Sequence, residues 1–173
     1  MLFTLITPCS RPDNLKKIKL PDFFHEWIIV YDGLKIKQFD NPKIKEYTFT
    51  KPGSFKGSEQ RNFALKLVNN GFVYFLDDDN IIHPNFYMLK NLDGNHFYTF
   101  NQKRVRTLKG NRIHPGFIDT GMFLIDIDLA KNIMWNNTQF HDGEYIKAVY
   151  DLHPDKWVYI NKTLSYYNKL KSN

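Results

Sequence analysis

The sequence predicts an α/β fold: a largely parallel sheet flanked by helices. Two observations carry it. Apolar, β-prone runs alternate with amphipathic stretches through the first half of the chain, the pattern of strands joined by helical crossovers. Two of those runs end abruptly in acidic loops, Asp32-Gly33 and Asp77-Asp78-Asp79, and α/β sheets bind ligands at the carboxyl ends of their strands. At 173 residues the chain fits one domain, residues 1–173, with a core of its own.

Residues 2–7 are apolar, and Pro8 and Pro12 break the run, so a first strand delivers a loop bearing Ser10 and Arg11. On that loop Arg11 either meets a phosphate or base, or sits solvated beside a turn. Residues 14–20 are Lys-rich and amphipathic, a helix with Asp13 or Asn14 as its cap. The run WIIVY, residues 27–31, makes a second strand. Residues 44–50 alternate as a third, partly exposed strand, closed by Lys51-Pro52-Gly53-Ser54. Residues 58–70 form a helix with Ser58 as a possible cap, apolar residues Phe63, Leu65, Leu67 and Val68, and Gly71 as its stop.

The centre of the chain is GFVYFLDDDNIIHP, residues 71–84. A buried-looking strand ends in Asp77, Asp78 and Asp79. Three adjacent carboxylates repel one another, so holding them at a strand terminus costs free energy unless a cation or hydrogen-bond donors compensate. Oxygen ligands of this kind suit Mg²⁺ or Mn²⁺, which keep positions open for phosphate oxygens. The plainer alternative is an acidic turn in water.

The second half is less regular. Residues 96–100 read as a strand. Residues 102–112 carry Lys103, Arg104, Arg106, Lys109 and Arg112 in alternation with Val105, Thr107 and Leu108, which predicts a hairpin with its charges in water or, less commonly, against a phosphate. Gly121 interrupts the apolar residues 117–127, and 128–134 predict a short helix. Tyr145, Ile146, Val149 and Tyr150 recur at helical spacing after His141-Asp142-Gly143-Glu144. Residues 157–160 make a late strand, and 164–170 fit either class.

Composition narrows the function. The lone Cys9 rules out an internal disulfide and a thiolate metal cluster, so site chemistry must use oxygen and nitrogen. The sequence starts directly on an apparent strand and has no apolar run of membrane-spanning length, which predicts a cytoplasmic protein without an integral membrane segment; the glycosylation patterns at Asn136 and Asn161 are then chance matches. The net charge of +6 allows an anionic partner. The abundance of Lys, Asn, Ile, Phe and Tyr points to AT-rich coding, which discounts that charge.

In order along the chain, ITPCSRP (6–12), WIIVYDG (27–33), GSEQRNFAL (57–65), VYFLDDDN (73–80) and FIDTGMFLI (117–125) resemble the motifs of GT-A-fold, nucleotide-sugar-dependent glycosyltransferases, nearest the metal-dependent inverting glucuronyltransferases. The Glu-Gln-Arg-Asn helix start followed by a strand and DDDN is the most specific part. The resemblance implies that Thr7, Ser10, Arg11 and Asp32 hold the base and ribose of a nucleoside diphosphate, UDP by expectation. It implies that Arg61 approaches the nucleotide or its diphosphate, that Asp77 helps hold the ribose, and that Asp79, with Asp78 beside it, holds Mn²⁺ or Mg²⁺. Asp119 would contact acceptor hydroxyls on a glycan or other compound. The family's base stands at the start of a late helix, followed by apolar residues three, four and seven positions on. Asp142 meets that spacing, with Glu144 the close alternative. No histidine follows His153 to match the family's C-terminal one, and the chain is shorter than the family's catalytic domains, so general sugar transfer is the expectation.

Other classes remain for comparison. Paired Asp residues after a strand also bind Mg²⁺ in phosphotransferases and nucleotidyltransferases, but no phosphate-cradling Gly-rich loop is present. A basic nucleic-acid module would use Arg104, Arg106, Lys109 and Arg112, but the acidic cluster opposes a nucleic-acid channel through the same site.

Overall fold

The computed structural model describes residues 1–33, 37–49 and 57–170. The expected turn at residues 51–54 and the last three residues lie outside them.

Four apolar segments build a parallel half-sheet. Strand β1 (Phe3–Cys9) lies between β2 (Glu26–Asp32) and β4 (Phe72–Phe75), and β3 (Ile44–Phe49) pairs with the outer side of β2, all parallel. Beyond β4 the sheet continues through β8 (Phe123–Asp126), antiparallel to β4, then β6 (Phe97–Lys103) and β9 (Trp157–Tyr166), which are parallel to one another. The two-residue β5 (Ile81–Ile82) closes that edge on β9, and β7 (Thr107–Leu108) folds back on β6 as a hairpin. The strand order is β3-β2-β1-β4-β8-β6-β9-β5.

Strand alternation sorts the core into two layers. Phe3, Leu5, Trp27, Ile29, Phe72 and Tyr74 face one side, packing with Leu15, Phe24, Phe86 and Leu89. Ile6, Ile28, Val30, Val73 and Phe75 face the other, against helix α2 (Ser58–Leu65), helix α3 (His141–Leu152) and Trp135. Hence the α/β prediction holds.

Local differences have local causes. The first helix, α1, is one turn, Pro12–Leu15, because Pro12 occupies its first turn and Arg11, not Asp13 or Asn14, stands at its N-cap. Gly57, with φ 81°, caps α2, and Ser58 donates instead to the Asn136 carbonyl at 2.9 Å. Helix α2 stops at Leu65, short of Gly71. The expected helix at 128–134 is a 3-10 turn, Ile127–Leu129, where the Asp126 side chain accepts the Asp128 N–H. Strand β9 runs on to Tyr166, taking in the start of the ambiguous terminal segment. No helix among the described residues is long and apolar enough to cross a membrane.

Gly71 serves the entry to β4 rather than the helix exit. It has φ 88°, and a Cβ there would lie 2.4 Å from the Leu2 carbonyl oxygen. Gly71→Ala should therefore cost about 1–3 kcal/mol, the scale of a non-glycine residue in the left-handed region. Urea unfolding within about 0.5 kcal/mol of the parent would contradict this account.

Candidate functional site

A cavity of about 850 Å³ opens where β1, β2 and β4 end, and it is completed by residues before β8 and at the start of α3. It collects Ser10, Arg11, Asp32, Arg61, Asp77, Asp78, Asp79, Asp119 and Asp142 from distant parts of the sequence. Asp32 is exposed on its rim.

The three consecutive acids take different roles. Asp78 turns inward: its Oδ2 accepts the backbone N–H groups of Ser10 at 2.7 Å and Arg11 at 2.6 Å, and its Oδ1 accepts Arg11 Nε at 2.8 Å. It holds the loop after β1 and has little left for a cation. Asp79 Oδ2 lies 2.9 Å from Arg11 Nη1. Asp77 Oδ1 accepts from Arg61 Nη2 at 2.5 Å. Arg61 is 1% exposed, with its guanidinium 4.6 Å from the centre of the Trp135 ring.

The second half supplies a further polar group. Asp142 Oδ1 accepts from Thr120 Oγ1 at 2.6 Å and lies 2.9 Å from His141 Nε2, while His141 Nδ1 faces the Thr138 carbonyl at 2.9 Å. Thr120 Oγ1 also lies 3.4 Å from Arg61 Nη2, linking Asp77 to Asp142 through two side chains. Arg104 pairs with Asp119 and stacks on Tyr167, its guanidinium 3.9 Å from the ring centre. It therefore faces the cavity, not the water expected of that hairpin.

Electrostatics separate the carboxylates. Burial works to raise Asp142, but the hydrogen bond from His141, the charges of Arg61 and His141 and the Thr120 hydroxyl outweigh it, so its carboxyl titrates below the usual value. Asp77 is raised, first by burial and then by Asp142 and Asp79, against Arg61. Asp119 is pushed up to about 7 by burial and by Asp142 and Asp77, which outweigh Arg104. Cys9 lines the cavity, yet burial and Asp78 push its thiol up to about 12, so it is no nucleophile at neutral pH.

Two expected residues lie elsewhere. Thr7 shares the β1 face of Leu5 and Cys9, so alternation turns it into the core, where its Oγ1 accepts from Trp27 Nε1 at 2.9 Å. Glu144, one helical step past Asp142, points to the preceding loop and accepts from Thr138 Oγ1 at 2.7 Å. It does not line the cavity, and Asp142 does. His153 ends α3 as its C-cap and is absent from the lining as well. Beyond His153, Tyr167 and Asn168 line the cavity; Asn168 N donates to Asn80 Oδ1 at 2.7 Å and Leu170 N to the Asp79 carbonyl at 2.9 Å. Motif reading gave no role to Thr120, His141 or Tyr167, and it placed Arg104 on a hairpin facing water or, less commonly, a phosphate. Only His141, adjacent to Asp142 at a helix start, left a signal in the sequence.

Among the described residues, no group of three His, Cys, Asp or Glu side chains converges as an all-protein metal cage. A hard cation such as Mg²⁺ needs only one or two carboxylates and completes its shell with water and substrate phosphates, and Asp79 lines the cavity with Arg11 as a partner. Asp79 would be the holding residue.

Solved structures share this architecture. TarS of S. aureus superposes over 96% of this chain and 36% of its own with TM-score 0.69 and 15% identity. Its residues 1–349 in complex with UDP-GlcNAc give TM-score 0.66 and 14% identity over 96% of this chain and 58% of that one. Glucosyl-3-phosphoglycerate synthase from Mycobacterium tuberculosis, in complex with phosphoglyceric acid, gives 0.61 and 15% over 94% and 70%. The mannosyltransferase PcManGT from Pyrobaculum calidifontis, in complex with GDP-Man and Mn²⁺, gives 0.59 and 12% over 93% and 54%. These likenesses establish the fold as GT-A, the fold of nucleotide-sugar glycosyltransferases. The chain spans 36% of TarS and 60% of its 1–349 fragment. No family model and no curated protein matches the sequence. The narrower likeness to glucuronyltransferases rests on the motifs alone.

The raised Asp119 carboxyl makes a signed prediction. Because its folded value, about 7, exceeds its ordinary 3.8, the folded state binds the extra proton, and this group's contribution to stability falls as pH rises from about 4 to 7. Asn cannot titrate, so the stability of the parent relative to Asp119→Asn should decline between pH 5 and pH 8. Urea unfolding at both values reads the difference; a parent that gains on the variant as pH rises would refute the assignment.

Proposed function

We propose that the chain is a metal-dependent inverting glycosyltransferase domain that moves a sugar from a nucleoside-diphosphate donor, UDP-linked, to a hydroxyl acceptor. The observation that carries this reading is the cavity at the strand ends, with two guanidinium groups beside a carboxylate pair on one side and an ionised helix-start carboxylate on the other. The GT-A fold supports it, as do the UDP-GlcNAc bound to TarS and the GDP-Man and Mn²⁺ bound to PcManGT.

In this reading Ser10, Arg11 and Asp32, on the loops after β1 and β2, hold the nucleoside. Arg61, immobilised by Trp135 and Asp77, meets the diphosphate with a planar multi-donor group. Asp79 would hold the cation, which would supply neutralisation of the charge on the departing diphosphate. Asp142 is ionised at neutral pH and takes the acceptor hydroxyl's proton as that oxygen attacks the anomeric carbon. Thr120 and His141 fix its orientation, and attack opposite the leaving group inverts the centre. Arg104 counts against the nucleic-acid reading, since it is committed to Asp119 and Tyr167 inside an acid-lined cavity.

Two experiments test the reading. Calorimetry with UDP should show affinity that rises with Mn²⁺, and Asp79→Ala should lose most of that increment; equal affinity with and without the metal would sink the metal dependence. Asp142→Asn should keep donor affinity and lower transfer by roughly 10²-fold or more, the usual scale of general-base catalysis. Proton NMR of the product should show inverted anomeric configuration, and retention would overturn the mechanism.

A further inference from the structure

We propose that Phe140, with Gly116 facing it, forms the subsite for the pyranose ring of the acceptor, placed beside Asp142. The proposal rests on the transfer reading and adds the substrate class at its open end.

Phe140 stands at the N-cap of α3 and makes no side-chain cap hydrogen bond. That position strongly favours Ser, Thr, Asp or Asn, whose oxygens satisfy a free helix N–H. The ring is also 51% exposed while lining the cavity, although aromatic side chains gain most from burial. One residue thus forgoes both capping and burial, two positions before the base. Stability does not explain it.

Gly116 keeps the ring open. It lines the same cavity with φ 85°, and a Cβ there would sit 3.6 and 3.7 Å from the Phe140 ring atoms Cε1 and Cδ1. Any side chain would cover that side of the ring. The Gly116 turn is fixed against the helix, because a Cβ on Gly143 would come within 2.6 Å of Pro115 Cα. The turn bearing Gly116 thus packs directly on the start of the helix that carries Phe140 and Asp142. The nearby Phe117, 43% exposed, already has the Arg112 guanidinium 4.6 Å over it, whereas no ring or cation stacks on Phe140 among the described residues.

The chemistry selects the ligand. A pyranose presents one face of polarised C–H bonds, which packs on the electron-rich face of an aromatic ring, and a hydroxyl edge that needs polar partners. Asp119 and Arg104, in the same cavity, supply them. A wholly apolar ligand would strip water from that ion pair and offer its remaining donors and acceptors nothing in return, at a cost.

Saturation-transfer difference NMR tests the proposal, using the methyl β-glycosides of glucose, galactose, mannose and N-acetylglucosamine as probes with UDP and diamagnetic Mg²⁺ present. At least one glycoside should receive saturation, concentrated on the protons of one ring face. Phe140→Ala should lower that signal by roughly fivefold or more, within the range of aromatic contact energies, and Phe140→Trp should restore it. UDP affinity and thermal unfolding of both variants, measured alongside, check that the fold and donor site persist. Absence of signal from every glycoside while UDP binds, or full signal in Phe140→Ala, overturns the subsite alone. Failure of UDP to bind the parent overturns the transfer reading instead.

Discussion

The site depends on one buried carboxylate. Asp78, 2% exposed, accepts two backbone N–H groups and the Arg11 side chain across the gap between the ends of β4 and β1. Burying a charge is expensive unless its lone pairs are met by well-placed donors, and five hydrogen bonds, including a weaker one from Ser10 Oγ at 3.3 Å, meet them here. The clamp sets the spacing of the two strand ends. By consuming the middle acid, it leaves its neighbours Asp77 and Asp79 on the cavity side, where a strand terminus alone would have crowded three equal charges together.

Charge in the cavity is distributed rather than balanced pair by pair. Arg61 serves Asp77 and lies near Thr120, which in turn serves Asp142, so the two sides of the cavity share one hydrogen-bonded chain. Asp142 and Asp119 are pushed in opposite directions, the first below and the second well above the usual carboxylate range. Divergent values in neighbouring acids are how one pocket holds an ionised proton acceptor beside a group that carries its proton near neutrality. The C-terminal segment belongs to the same unit, since Asn168 and Leu170 bond back to Asn80 and Asp79 and Tyr167 carries Arg104.

The sequence by itself determined the parallel half of the fold and the acids at its strand ends. Runs such as WIIVY and FVYF are short and rich in β-branched and aromatic residues, which favours a buried strand over a buried helix, and Gly-Ser-Glu-Gln-Arg-Asn marks a helix start within its own few residues. These signals are local, so they are legible in one dimension. The helical spacing after Asp142 was local in the same way and distinguished it from Glu144, which the structure turns out of the cavity. Only tertiary structure decided what each side chain faces. Thr7 reads as a loop-proximal polar residue, but the pairing of β1 with β2 turns it onto Trp27. Arg104 reads as one of five hairpin cations, but Asp119 and Tyr167, fifteen and sixty-three residues away, draw it inward. Asp78 is indistinguishable from its neighbours until the β1 loop arrives with its N–H groups. Partners distant in sequence leave no periodicity or spacing to read, because the energy that places such side chains comes from contacts formed only when the sheet is assembled.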